Sequence, residues 1–399
     1  MKQKLWNRIL KFELILSILL AILLNINVKG LNWTRLAVAD WISLAILIAT
    51  LVLQFLAEKN HYLKFTADIL SALTLPCIFN WLLTGTISTL NEKIQQLAPI
   101  FSILGCLILL VNFIPVVKVS YLTIKNGVLR LMLVVVLILS QLYSVVVFKK
   151  APSYISVMVD QGFVNAIAVF ILTFFIMQAW GFKFEWNLKF IKTKNFQWWV
   201  LVFLVVFLAW FSFFNTFIGL AQVPAQLFEW DFSTFEITWK GFYASAEAGI
   251  LEETERYLNV VLLLYIFHNF KSKVVLAVVG SSAIFGLFHL INLGSTSFGI
   301  HYDLDVVLKQ VVYSFGMGLL MAALYLYTGK LWLCILAHFS IDFISFSKTM
   351  LTLVVSPMLG NWTVSLIIMA LPTIVTIWMM TGKRRKFMED NAARIVATR

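Results

Sequence analysis

The chain is a succession of apolar segments separated by short polar connections. A helix needs about 20 mostly apolar residues to cross the hydrocarbon core of a bilayer. About twelve segments meet this criterion, near 9–27, 38–56, 67–87, 98–117, 129–148, 163–180, 197–218, 243–268, 273–292, 306–327, 330–347 and 362–380. The pattern predicts an all-α, polytopic transmembrane helical bundle of about 12 spans. One span fewer or one more is also compatible with it, because the shorter segments could be re-entrant.

Ionisable residues are distributed unevenly among these segments. Within 1–195 the apolar segments contain almost none, whereas after the basic, aromatic linker at 181–199 they occur inside the spans. Each such residue costs at least about 2.5–3.5 kcal/mol on insertion scales, so a persistent cluster indicates a function. The sequence therefore predicts an accessory N-terminal transmembrane bundle at 1–195, a functional core at 196–382 and a basic cytoplasmic tail at 383–399.

Composition and charge support a membrane protein and argue against a nucleic-acid partner. Hydrophobic residues make up 61% of the chain and charged residues 13%, against about 45–50% and 25% in soluble domains. If the N-terminus is inside, the loops on that side hold 22 of the 31 Lys and Arg residues. By the positive-inside rule, we expect a multi-pass protein of the cell membrane with both termini in the cytoplasm. The net charge of +12 is then an orientation signal at the lipid bilayer.

The cysteines and the N-terminus add two exclusions. Cys77, Cys106 and Cys334 lie within apolar segments and form no CxxC pair, so the sequence predicts neither a disulfide framework nor a thiolate metal site. The first apolar segment follows a basic start but lacks a small-residue cleavage site, so we interpret it as an anchor and not as a cleavable signal peptide.

The segment "AEAGILEETERYLNVVLLLYIF" at 246–267 places charges where lipid is expected. Its charged residues are Glu247, Glu252, Glu253, Glu255 and Arg256. A helix that began only near Tyr257 would have about eleven residues left, too few to span the bilayer. On a continuous helix, Glu252 and Arg256 share a face, while Glu253 lies about 100° around it. The spacing predicts an ion pair between Glu252 and Arg256, and Glu255 either supports this pair or points to a polar cavity.

Two further segments contain intramembrane histidines. "SSAIFGLFHLIN" at 281–292 places His289 four residues after Phe285, and "LCILAHFSIDFISF" at 333–346 places His338 and Asp342 on one helix face. A histidine at a helix end is often only interfacial, and a His/Asp pair suits an interhelical hydrogen bond as well as a metal or water site. Together with a glutamate, however, these residues are the components of a hydrolytic site. The imidazoles and Asp342 can hold Zn²⁺ or orient a water, and a glutamate can act as general base.

The motifs "EETER", "FGLFH" and "HFSID" resemble a known signature. EExxxR, FxxxH and HxxxN/D on successive membrane helices characterise the CAAX-protease and bacteriocin-processing family (CPBP, or Abi), whose eukaryotic members are the CAAX prenyl endopeptidases. The resemblance covers about 240–350, and it implies that 196–382 is a CPBP-like intramembrane protease core.

The resemblance also implies a role for each matching residue. Glu252 would activate the water, while His289 and His338 would position it or ligate a metal, and Asp342 would take the Asn/Asp place. Glu253 and Arg256 would support the first glutamate and orient the substrate. The implied metal ligands are His289, His338 and Asp342, with Glu252 as a further candidate and Zn²⁺ as the candidate ion. The need for a metal stays open.

One spacing differs from the family pattern. The family arginine follows the first glutamate by five residues, whereas Arg256 follows Glu252 by four. Pairing of Arg256 with Glu252 would leave Glu253 as the freer carboxylate, so both glutamates are candidates for the base. The same difference is compatible with an inactive or repurposed site.

The sequence thus predicts an intramembrane endopeptidase with a hydrophobic peptide or membrane protein as substrate. With the predicted orientation the three motifs lie in the outer half of the membrane, which fits an exported substrate such as a pheromone or bacteriocin precursor or a lipoprotein segment in a bacterium. Residues 1–195 are a candidate surface for a membrane-protein partner. One alternative is a non-proteolytic CPBP-like protein that binds an immunity or regulatory partner or transfers acyl groups to lipoproteins. A transporter is the other, because intramembrane Glu, Arg and His also mark proton relays; the absence of an inverted repeat argues against it.

Overall fold

The computed structural model describes residues 2–29, 38–57, 60–143, 146–190, 195–218, 223–297, 300–348 and 360–397. The chain divides into two compact units, Met1–Gly181 and Phe182–Arg399. Both are helical, which confirms the predicted all-α membrane bundle. The domain boundaries at 195 and 382 stay predictions.

The first unit consists of eight α-helices with two short 3₁₀ turns, Gln95–Leu97 and Tyr121–Thr123, in its described part. The helices are α1 (Lys2–Lys29), α2 (Val38–Leu56), α3 (His61–Lys93), α4 (Ala98–Val111), α5 (Ile114–Val119), α6 (Gly127–Tyr143), α7 (Ser153–Asp160) and α8 (Phe163–Ala179). Between α7 and α8 the chain bends by 55° at Gly162, whose φ of 72° favours glycine. Polar contacts also join distant parts of this unit, for example Asn80 Nδ2 donating to Gln141 Oε1 at 2.8 Å.

The second unit contains the helices that carry the polar motifs. They are α9 (Trp198–Phe217), α10 (Val223–Gln226), α11 (Trp239–Ile266), α12 (Lys273–Phe288), α13 (Leu304–Thr328), α14 (Leu331–Ser347), α15 (Trp362–Met379) and α16 (Gly382–Ile395). A 3₁₀ turn, His289–Asn292, extends α12. The strands β1 (Thr296–Ser297) and β2 (Ile300–His301) form a small antiparallel hairpin before α13. This hairpin is the one strand pairing in the described part of the chain and was not predicted.

Each predicted apolar segment is helical, although 98–117 is divided between α4 and α5. The number of membrane crossings does not follow from the helices alone. Among the described residues, six helices are long and apolar enough to span a membrane, or up to seven if the bent pair α7–α8 counts as one span. The helix α11 is not among them because of its charged residues, and α14 has 17 residues. The figure of about 12 spans therefore stays a prediction.

Capping residues fix where the site-bearing helices begin. Thr238 Oγ1 accepts a hydrogen bond from the Gly241 backbone N–H at 3.0 Å and caps α11. The Asp303 carboxylate accepts from the Val306 N–H at 2.9 Å and caps α13. At the other end of α13, Gly329 adopts φ 66°, so the chain turns directly into α14. These signals set the register of helices that must bring polar residues together.

The helices of this unit pack in the spatial order α9, α14, α11, α12, α13, α15. The helix α11 therefore lies between α14 and α12, and its central residues are almost completely buried. A helix in this position can present polar side chains to both neighbours and keep them away from lipid. This arrangement positions the candidate site.

The C-terminal helix α16 packs against the other helices of the second unit. Its apolar side chains Phe387, Met388, Ala392 and Ile395 are buried, and Arg394 Nη1 donates to Glu185 Oε2 at 2.8 Å. Partial burial raises the pKa of the Glu185 carboxyl, but the hydrogen bond and charge of Arg394 more than offset this, so its pKa lies below the usual value.

This pair gives a pH-dependent stability. A carboxyl whose pKa is lowered by folding contributes stability above its unfolded pKa, and this contribution is lost as the pH falls through the folded pKa. We expect Glu185→Gln to lower the Tm by about 1–3 °C at neutral pH, with a difference from wild type that shrinks in acid. Thermal unfolding between neutral and acidic pH measures this, with the exposed Glu229→Gln as control. A difference that grew in acid would contradict the prediction.

Candidate active site

The ion pair at the centre of the site joins Arg256 to Glu253, three residues earlier on α11. Both side chains are only 2% exposed. The guanidinium also lies over the ring of Phe285 from α12, 3.9 Å from its centroid. The predicted pair between Glu252 and Arg256 is therefore wrong. Residues three apart on a helix are also neighbours, and the aromatic face of Phe285 together with His338 from α14 decides which pair forms.

His338 is held by the same carboxylate. Its Nδ1 lies 2.6 Å from Glu253 Oε1, and because an ionised carboxylate can only accept, Nδ1 is the donor. The other ring nitrogen, Nε2, lies 3.5 Å from Glu252 Oε2 and 3.4 Å from Asp342 Oδ2. Glu253 thus fixes the orientation of the imidazole, as carboxylates do for histidines in many active sites.

The two adjacent glutamates differ in access to the surroundings. The Glu252 side chain is 32% exposed, whereas Glu253 is buried between the guanidinium and the imidazole. Asp342 is 23% exposed and His338 14%. The expectation that Glu253 would be the freer carboxylate is therefore wrong, because Arg256 and His338 both bind it inside the bundle. Glu252 is the more exposed of the two carboxylates.

His289 joins this cluster through Phe285. The rings of His289 and Phe285 are 5.0 Å apart in an edge-to-face arrangement, and Phe285 is 6.5 Å from the His338 ring. His289 Nδ1 lies 3.0 Å from the Phe285 carbonyl oxygen, so Nδ1 carries the proton. Its Nε2 therefore accepts in the neutral ring, and the Ser314 hydroxyl donates to it at 3.1 Å.

Three contributors to the site were missed or only partly foreseen: Asn259 was expected to extend the face of Glu252 and Arg256 by one turn, but its partner was not identified. Ser314 on α13 gave no signal, because a serine in an apolar helix is common and its partner is 25 residues away. The Asn259 amide donates to the Glu255 carboxylate, one turn below Arg256, which follows from i,i+4 spacing. The third is Gly249, at a close contact between α11 and α14.

At Gly249 the backbones of α11 and α14 approach closely. A Cβ atom there would lie 3.0 Å from the Ile335 carbonyl oxygen and 3.0 Å from the Phe339 backbone nitrogen. Glycine therefore permits the helix contact that brings His338 to Glu253.

We expect Gly249→Ala to lower both stability and any activity of the site. Because backbone atoms of α14 cannot move aside locally, the added methyl should cost about 1–3 kcal/mol. Gly280→Ala is the matched control, since its Cβ would approach only the flexible Leu263 side chain, at 3.0 Å. Detergent-solubilised variants can be compared by thermal unfolding. If Gly249→Ala were as stable as Gly280→Ala, the close approach would not matter to the fold.

The site does not resolve into a metal centre. Among the described residues, no group of three or more His, Cys, Asp or Glu side chains is arranged to hold a metal ion. Nδ1 of each histidine donates within the protein, which leaves Nε2 as the nitrogen that could bind a metal. In His289 this atom accepts from the Ser314 hydroxyl. The predicted Zn²⁺ ligand set of His289, His338 and Asp342 stays a prediction.

The part of the chain that carries the candidate site also matches a known protein family. Residues 234–344 match the family described as Type II CAAX prenyl endopeptidase Rce1-like. This range contains all six predicted site residues and confirms the resemblance to the CPBP family. The match covers about a quarter of the chain. No curated protein and no solved structure matches the chain.

Proposed function

We propose that the Rce1-like domain makes this membrane protein an intramembrane endopeptidase that hydrolyses a peptide bond in a hydrophobic or membrane-associated peptide. One observation carries the proposal. Glu252 is a partly exposed carboxylate next to His338 Nε2 and Asp342, while the neighbouring Glu253 is buried and engaged. A reachable base beside an oriented imidazole is the arrangement that water activation requires.

In this mechanism Glu252 accepts a proton from a water molecule as the water oxygen attacks the scissile carbonyl carbon. The carbonyl becomes a tetrahedral oxyanion, which His338 stabilises through an Nε2–H donor when its ring is protonated on both nitrogens. The carbon–nitrogen bond then breaks, and the proton passes from Glu252 to the leaving amine. The products are a carboxylic acid and an amine, so the atoms of substrate and water are conserved.

The remaining residues act on the orientation of these groups. Glu253 and Arg256 hold the His338 ring in place, and Asp342 supplies a second acceptor near Nε2. His289, kept as the Nδ1–H tautomer by the Phe285 carbonyl, directs an acceptor lone pair toward Ser314. A substrate N–H or the water can compete for that lone pair.

The test uses the full-length protein in lipid nanodiscs and a set of hydrophobic fluorogenic peptides. We expect cleavage by the wild type, and measurement of bound metal with and without chelation decides whether Zn²⁺ contributes. Cleavage that a chelator abolishes would assign a metalloprotease. The absence of cleavage in a folded sample would overturn the proposal and favour partner binding or acyl transfer on the same scaffold.

We propose the orientation separately, with both termini cytoplasmic and the site in the outer half of the membrane. The basis is the excess of Lys and Arg in the inner loops. Ser295 and Ser272 are exposed at opposite ends of the second unit. In cells, a membrane-impermeant maleimide should label Ser295→Cys and spare Ser272→Cys. The reverse pattern would invert the topology.

A further inference from the structure

The two ends of the second unit differ in charge. The end formed by 182–190, 195–199, 266–273, 328–332 and 380–397, here called the basic end, has ten Lys and Arg residues and three Asp and Glu residues. The opposite end, formed by 225–240, 293–297, 300–305, 345–348 and 360–362, has two lysines and five carboxylates.

Aromatic contacts show that the segments of the basic end are assembled together. Tyr327, at the end of α13, lies 5.7 Å from the ring of Phe196 and 5.0 Å from that of Phe387 on α16. Trp378, at the end of α15, is 5.6 Å from Trp199 at the start of α9. The positive charges therefore belong to one surface.

The acidic side chains of the basic end already have partners. Glu185 binds Arg394 at 2.8 Å, Glu389 binds Arg385 at 2.9 Å, and Asp390 accepts from the Asn195 amide at 3.1 Å. Lys330 is buried and its ammonium donates to the Asn187 side-chain oxygen at 2.8 Å. Within the described residues, six further lysines have no carboxylate within ion-pair distance, namely Lys183, Lys189, Lys271, Lys273, Lys383 and Lys386. Such a surplus has to be balanced from outside the protein.

The helix α16 presents part of this surplus on a fixed support. The Asn391 amide donates to the carbonyl oxygens of Leu326 at 3.0 Å and Tyr327 at 3.2 Å, which fastens α16 to the end of α13. Its apolar face is buried, and Lys383 and Lys386 are exposed on the other side. Because the helix that carries these lysines is already folded and fastened, binding of a ligand to them does not require this segment to become ordered.

Tryptophans accompany the lysines. Trp186, Trp198 and Trp199 at the basic end are 52%, 49% and 53% exposed. Tryptophan is enriched at the level of lipid headgroups, where an apolar ring with a polar N–H suits the interface. A free anion in solution would not require exposed indoles, so the combination indicates a lipid surface.

We propose that the basic end binds anionic phospholipid headgroups, and that these lipids stabilise the second unit. The six unpaired lysines supply the charge complementarity, and the tryptophans set the depth in the membrane. The attraction between one lysine and an anionic membrane surface changes the affinity for that surface several-fold. The proposal is independent of the proteolytic function, because the basic end contains none of the predicted site residues.

The test is native mass spectrometry of the full-length protein in neutral detergent with added phosphatidylglycerol or phosphatidylcholine. We expect the wild type to retain phosphatidylglycerol about tenfold more than phosphatidylcholine, and we expect this preference to decrease as the salt concentration rises. The double variant Lys383→Gln, Lys386→Gln should reduce that preference to a few-fold, and so should Lys183→Gln, Lys189→Gln. The control Lys149→Gln, Lys150→Gln, which removes two exposed charges from the first unit, should keep it.

Three outcomes would overturn the proposal. These are equal retention of the two lipids by the wild type, full retention of phosphatidylglycerol by both Gln variants, and displacement of the lipid by millimolar inorganic phosphate, which would assign a free-anion site. Thermal unfolding in nanodiscs provides an independent readout. The Tm should rise with the fraction of phosphatidylglycerol in wild type and less in the two variants.

Discussion

Replacement of Glu252 by Gln should reduce peptide hydrolysis by about 10²–10⁴-fold while the protein stays folded. A general base contributes a rate factor of this size, and the Gln side chain has nearly the same shape but cannot accept the proton of water. Glu252 is 32% exposed, and the ion pair of Arg256 is with Glu253. The substitution therefore removes little stability. The measurement is kcat/KM on a fluorogenic hydrophobic peptide, with thermal unfolding on the same samples.

Glu253→Gln is the informative companion variant. It keeps the proposed base but weakens the anchor of His338, for which a loss of about 10–100-fold is expected. Glu236→Gln, exposed and outside the site, should behave as wild type. If Glu253→Gln were inactive and Glu252→Gln active, the base would be Glu253, as the spacing of "EETER" had allowed.

The helices themselves were predictable because each apolar segment is long enough to require one. Segment 38–56 coincides with α2, and 362–380 differs from α15 by a single residue. Length and hydropathy are local properties, so the sequence contains them directly. The crossing number is different, since it depends on how far helices such as α11 tilt and bend in the bilayer.

The pairing inside the site was not predictable for a related reason. Glu252 and Glu253 both lie within reach of Arg256 along α11, at i,i+4 and i,i+3. The choice between them is made by groups on other helices, the Phe285 ring on α12 and His338 on α14. Sequence spacing describes one helix at a time, whereas the identity of the facing helix is a tertiary property.

For helix α16 the sequence did contain a signal, its helical apolar pattern, but the basic charge of the segment was given more weight. The C-terminal residues were interpreted from their basic charge as a tail. Phe387, Met388, Asn391, Ala392 and Ile395 nevertheless recur at helical spacing and form the buried face. The basic residues on the other face are those on which the lipid proposal depends, so charge and amphipathicity together describe the segment.

The second large effect should come from the buried pair of Arg256 and Glu253. Arg256→Met leaves the buried Glu253 carboxylate with only its hydrogen bond from His338, and we expect a loss of about 3–5 kcal/mol in the free energy of unfolding. The double variant Arg256→Met, Glu253→Gln removes both charges, and it should recover most of this loss, because a neutral amide and a thioether need no counter-ion. Reversible denaturation in mixed micelles gives the three free energies.

Activity should separate from stability in these variants. In the double variant His338 Nδ1 can still donate to the Gln amide oxygen, but a neutral acceptor holds the ring and its charged form less firmly than a carboxylate. We therefore expect a folded protein whose kcat is about 10–100-fold below wild type. A double variant with full activity would show that the ion pair serves stability alone. One that is no more stable than Arg256→Met would show that Arg256 acts through its contact with Phe285, because the Glu253 charge would then cost nothing when unpaired.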